Sequence, residues 1–200
     1  MSEQLSVLAP DAPVPRHPIH LVVTDDLRRS RLTVFFRLFL ALPHFIWVAL
    51  WGIAVFFAVI AAWFAGIFTG RVPDGIHGFI ARWVRYATHV NAYFSLAADP
   101  FPDFGGAPGY PVDVEIAPPQ KQSRLTIFFR GLLVIPAWIV LYFLGYVAQL
   151  VMFFAWFMAL FTGRMHGGLR DVLTYWLRYA AQTYGYQMLL TQKYPSFSDD

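Results

Sequence analysis

Hydrophobic and polar positions alternate in three different rhythms along this chain, and the set of three occurs twice. Residues 38–70 and 131–163 contain no Asp, Glu, Lys or Arg, and each exceeds the roughly 20 apolar residues that a membrane-crossing helix needs. A helical rhythm follows each apolar segment. Ile76, Phe79, Ile80, Trp83, Ala87, Val90, Phe94 and Ala97 recur on one face, with Arg82, Arg85 and His89 opposite; Leu169, Leu173, Trp176, Ala180, Thr183 and Leu190 oppose Arg178 and Gln182. These patterns predict amphipathic helices over residues 76–98 and 169–191, suited to lying in a membrane interface or packing on the other half. A two-residue rhythm precedes each apolar segment. Val112, Val114 and Ile116 alternate with Asp113 and Glu115, and Ile19, Leu21 and Val23 form a weaker version, so each half starts with a short strand.

The two halves match without a gap at an offset of 93. Residues 31–104 over 124–197 give 26 identities in 74 positions, including Arg37/Arg130, Pro43/Pro136, Gly52/Gly145, Trp83/Trp176, Arg85/Arg178 and Tyr93/Tyr186. The chain therefore divides into a flexible tail over 1–16, a first unit over 17–104, a Pro- and Gly-rich linker over 105–109 and a second unit over 110–197.

The ordered motifs "RLTVFFR", "AWFAGIFTGR", "RWVRYATHVNAYFSL" and "DPFPDF" in the first unit, with "RLTIFFR", "AWFMALFTGR" and "YWLRYAAQTYGYQMLLTQKYPSF" in the second, resemble the bacterial DUF4389 family of uncharacterised membrane proteins. The resemblance implies a membrane location and a duplicated unit, and brings no reaction, substrate or catalytic residue.

The apolar segments admit two topologies. As straight helices each would be near 48 Å long, against a hydrocarbon core of about 30 Å. Each could cross once with tilt after Pro43 or Pro136, or could turn near Gly52 or Gly145 and return as a hairpin. A single crossing spreads the Arg and Lys residues over both faces, whereas hairpins keep all fifteen on the cytoplasmic side and let the two strands pair. The charge pattern favours hairpins. The expected fold is a mainly α integral membrane protein of two tandem units, with Pro43, Gly52, Pro136 and Gly145 as hinges.

Composition agrees with an apolar solvent: 58% hydrophobic residues, 18% aromatic, mean hydropathy +0.50. The N-terminus lacks a basic region followed by an apolar core, so no cleaved signal is expected. The localisation that follows is the inner membrane, multi-pass, with both termini cytoplasmic. The net charge of +3 lies outside the apolar segments, which points to lipid headgroups and not to nucleic acid. Arg37, Arg71, Trp83, Arg85, Arg130, Arg164, Trp176 and Arg178 are the candidate headgroup and interface anchors. The chain has no cysteine, no His pair at metal-ligand spacing and no phosphate loop or nucleophile elbow, so no cofactor and no metal are expected. His44, next to Pro43, is expected to bond a carbonyl that the proline frees. Carboxylates avoid the apolar segments, which disfavours an ion-coupled pump. The expected role is a non-enzymatic membrane-organising or scaffold protein, with the bilayer, a membrane protein or a second copy as partner. The alternative is a small permease or transporter accessory subunit with a path between the units. A lipid-modifying enzyme would need Asp and His residues of the exit loops to converge.

Overall fold

The strand expected at Val112 forms, and its partner is the equivalent strand 93 residues upstream. In the computed structural model, which describes residues 17–198, β1 (Ile19–Val23) pairs antiparallel with β2 (Val112–Ile116). Leu21 faces Val114, its own counterpart, and the pairs Ile19 with Ile116 and Val23 with Val112 exchange under the same offset. An approximate twofold axis therefore passes between Leu21 and Val114. The tail expected over residues 1–16 lies outside the described residues.

Ser30 opens α1 (Arg31–Thr69) by accepting the Thr33 N–H. The helix then runs uninterrupted for 39 residues, about 58 Å at roughly 1.5 Å per residue. This overturns the expected hairpin. Pro43 lies inside the helix, and Gly52 introduces no turn. What Gly52 supplies is proximity: a Cβ there would stand 3.5 Å from the Trp83 ring, whose Nε1 donates to the Val48 carbonyl at 3.0 Å. In the second half the breaks come earlier, at Phe129 and Val134, between α3 (Arg124–Phe128), α4 (Arg130–Leu133) and α5 (Ile135–Thr162). Pro136 then sits in the first turn of α5, where its missing N–H had no partner to lose. Gly145 lies within unbroken helix. None of the four residues acts as a mid-segment hinge.

The reversal of direction comes at the glycines that end the apolar runs. Gly70 and Gly163 take left-handed φ values of 74° and 69° and cap α1 and α5. The chain then returns along the long helix as α2 (Asp74–Phe94) or α6 (Gly167–Gln187).

The long helices lie antiparallel and are tied at both ends by matched bonds. Trp156 Nε1 donates to the Val34 carbonyl at 3.2 Å, and Trp63 Nε1 donates to the Ile127 carbonyl at 3.1 Å. The Gln122 N–H reaches the Gly70 carbonyl at 2.7 Å, and the Arg29 N–H reaches Gly163 at 2.9 Å. Each bond is the other displaced by 93 residues.

The contacts build three tiers: α1 and α5, then α2 and α6 packed on each other, then the ribbon on α2 and α6. The helices expected in a membrane interface thus form the middle tier. Parts of their polar faces are engaged by protein. Arg85 Nε donates to the Val114 carbonyl at 3.1 Å, and Gln182 Nε2 donates to the Ile19 carbonyl at 3.1 Å. Residues 95–111 fold back over α2, where Gly106, at φ 66°, lets the backbone press against Tyr86 and the Arg82 carbonyl. Of this segment, Phe104 stacks on the His44 ring and Phe101 packs against it at a tilt, and His44 Nδ1 pairs with the Tyr86 hydroxyl at 2.6 Å, not with a freed carbonyl.

Candidate functional site

Arg37 and Arg130 are buried, which corrects their expected role as headgroup anchors. Both reach into the C-terminal ends of the returning helices, where carbonyls have no intrahelical partner. Arg37 Nη1 donates to Tyr93 and Ala98 carbonyls at 2.7 and 2.9 Å, and Arg130 Nη1 donates to Tyr186 and Thr191 at 2.7 and 2.6 Å. Each guanidinium also lies over the ring of the tyrosine it bonds. They are structural clamps. The sequence held a signal for this, because Arg37/Arg130 and Tyr93/Tyr186 repeat together at the same offset.

Arg85 and Arg178 are also engaged within the protein. Arg85 contacts Asp113 at 3.4 Å, and Arg178 is buried, donating to the Phe197 carbonyl at 3.0 Å. His89 Nε2 lies 2.8 Å from Asp113 Oδ1 and its ring stacks on Tyr110. Burial holds the His89 imidazole below its ordinary range, outweighing the attraction of Asp113. Asp113 is held below the usual carboxylate range: burial would raise it, but N–H groups of Gly109 and Val114 and the His89 ring prevail. The opposite half has Gln182 and His20 at these positions, so the pair occurs once. Asp74 pairs with Arg71, Asp171 with Arg170, and His166 caps Gly168.

Arg71 and Arg164, two more of the candidate anchors, are exposed. Each is joined by a cation from the other half, because the helices are antiparallel. Arg124 lies beside Gly70 and Arg31 beside Gly163. Exposed arginines therefore stand at both ends of the α1/α5 pair, and apolar side chains cover the length between them.

Trp83 and Trp176, also expected as interface anchors, face a half-open cavity of about 460 Å³. Five residues of α2, from Trp83 to Asn91, and their five counterparts on α6, from Trp176 to Tyr184, line it, so it straddles the twofold axis. Its remaining wall comes from α5 alone.

These features define a mainly helical protein of two matched helix pairs joined by a two-stranded ribbon, with two helices long and apolar enough to cross a membrane. The chain belongs to the family described as Domain of unknown function (DUF4389), which matches it twice, over residues 31–104 and 124–199. Both strands lie outside the matched segments. No curated protein and no solved structure gives a significant match.

Proposed function

We propose that the protein is a non-enzymatic, membrane-organising component of the bacterial inner membrane, with α1 and α5 laid flat in the cytoplasmic leaflet. The supporting observation is the length of the apolar surface. Leu32 and Phe68, near the two ends of α1, are 71% and 74% exposed; Leu125 and Phe161, on α3 and α5, are 70% and 72% exposed. A hydrocarbon layer of about 30 Å covers only half of a helix of about 58 Å standing upright. Lying flat, the helix is covered throughout.

The position of the ribbon supports the same orientation. It sits on the twofold axis, midway between the helix ends, so upright helices would set exposed Glu115 near the bilayer centre. A charge there costs about 2.5–3.5 kcal/mol on insertion scales. With the axis along the membrane normal, the ribbon and linker face the cytoplasm and the four exposed arginines reach headgroups. Two apolar rods added to one leaflet expand that leaflet alone. The cavity between the halves has no charged lining residue, which favours this reading over a polar path for a permease.

The chain has no cysteine, so single cysteines at Phe39, Ile53 and Phe68 can carry a fluorophore quenched by lipids labelled at graded depths. Flat helices give one depth for all three sites. A shallow, deep, shallow profile would overturn the orientation. Vesicles exposed to the protein from one side should lose lipid packing order or tubulate, and unchanged vesicles would remove the membrane-organising role.

A further inference from the structure

The cavity on the twofold axis departs from the symmetry that governs the packing around it. On one side α1 is closed over Trp83, through the bond to Val48 and the 3.5 Å approach at Gly52. On the other, α5 stands off: the nearest atom to a Cβ at Gly145 would be Trp176 Nε1, at 3.9 Å. The volume of about 460 Å³ falls within the roughly 300–1,000 Å³ of small-molecule sites.

The wall contributed by α5 is chemically unlike the matching face of α1. Tyr142, Tyr146 and Gln149 line the cavity where α1 has Ala49, Ile53 and Phe56. The two tyrosine hydroxyls lie 2.6 Å apart on the exposed face of α5. Polar groups on a lipid-facing helix are costly and mark functional positions, and the packing of α1 shows that the fold does without them. Trp83, Trp138 and Trp176 supply broad aromatic walls. With no charged residue in the lining, the site offers hydrogen bonds without a counter-ion.

We infer that this cavity binds an uncharged lipid carrying a carbonyl or hydroxyl group, which enters beside α5 from the hydrocarbon. The chain or ring lies against the three tryptophans, and the polar group meets Tyr142, Tyr146 and Gln149. A phosphate headgroup is a poor match, because the exposed arginines stand at the helix ends and not at the cavity. The inference rests on the reading that α1 and α5 face lipid.

The full chain in detergent, titrated with a decyl-chain benzoquinone, provides the test, read by saturable quenching of tryptophan fluorescence. Saturation is expected, with binding weakened at least tenfold in Tyr142→Phe/Tyr146→Phe/Gln149→Leu and lost in Ala180→Phe, which fills the cavity. Unsaturable quenching, equal quenching of the filled variant, or unchanged affinity in the triple variant would overturn the site. Equal competition by a plain alkane of matching chain length, which has no carbonyl or hydroxyl, would show that the chain alone occupies it, and would overturn the requirement for a polar group. Because detergent has no leaflets, this result is independent of the depth measurement. Flat helices without saturable binding remove the site alone, and binding with upright helices removes the orientation alone.

Discussion

Asp99 receives a 2.6 Å ion pair from buried Arg37, while the counterpart arginine, Arg130, is held at 2.6 Å by the amide of Gln122. The second half repeats the architecture with charge removed: Gln122 stands for Arg29 and Gln192 for Asp99. Arg29 Nε bonds the Leu96 carbonyl at 2.9 Å and Gln122 Nε2 bonds Leu189 at 2.7 Å, so the same left-handed leucine, at φ 67° or 65°, is held in both.

Arg37→Ala should cost more stability than Arg130→Ala. Both changes orphan one carbonyl, Ala98 or Thr191, at about 1–3 kcal/mol, while Tyr93 and Tyr186 keep the Leu96 and Leu189 N–H groups; only Arg37→Ala also takes the counter-charge from a carboxylate. Asp99 is partly exposed, so water offsets part of the loss and the difference stays below the cost of breaking a fully buried pair. Unfolding in mild detergent measures the difference, and a double-mutant cycle with Asp99→Asn should abolish it. An equal cost for both arginines would refute this account of the charge.

Gly185→Ala should destabilise by about 1–3 kcal/mol through overpacking. A Cβ at Gly185 would fall 2.0 Å from Cδ1 of buried Ile19. The matching positions carry Ala92 and Val112, a larger helix residue with a smaller strand residue. Adding Ile19→Val should therefore restore most of the loss, as thermal midpoints would show.

Two linker glycines should respond differently to alanine. Gly109, at φ 95°, has open space around its Cβ position, so Gly109→Ala carries only the conformational penalty of about 1 kcal/mol. Gly106, at φ 66°, has the Arg82 carbonyl 3.0 Å from its Cβ position and Tyr86 Cβ at 3.1 Å. Gly106→Ala should cost distinctly more, and equal midpoint shifts would contradict this packing.

Stability should fall as pH drops below about 6.5, the ordinary histidine value. His89 is held below that value in the folded state, so the unfolded chain takes up its proton first. Its contribution is complete above pH 6.5 and is lost as pH falls through the lowered native value. His17 and His77, outside the long helices and also depressed by burial, act in the same sense. His89→Gln, which installs the residue found at position 182, should flatten the slope of unfolding midpoint against pH between 7 and 5.

Much of this architecture is written in local pattern. The strand at Val112, the helix stops at Gly70 and Gly163 and the offset of 93 all follow from rules acting over a few residues. What depends on distant partners did not show. An arginine near the start of an apolar run looks like an interface anchor, yet Arg37 finds acceptors 56 and 61 residues away. The charged face of α2 looks solvated, yet Arg85 and His89 meet Val114 and Asp113 from the strand of the other unit. Pro43 and Gly52 look like a turn because local rules omit the packing that a long helix gains on its neighbours. The cavity left one trace, the substitution of Tyr142, Tyr146 and Gln149 for apolar residues of the first unit.

The ribbon also sets an order of events in synthesis. β1 leaves the ribosome 93 residues before its counterpart, a delay of roughly 5–20 s at about 5–20 residues per second. Throughout that interval the first half has an unpaired strand edge, no Gln122 to tie Gly70 and no Trp156 to reach Val34. Neither half can close all of its bonds before the other has been made. A chain carrying one unit could close the same bonds only by pairing with a second copy of itself.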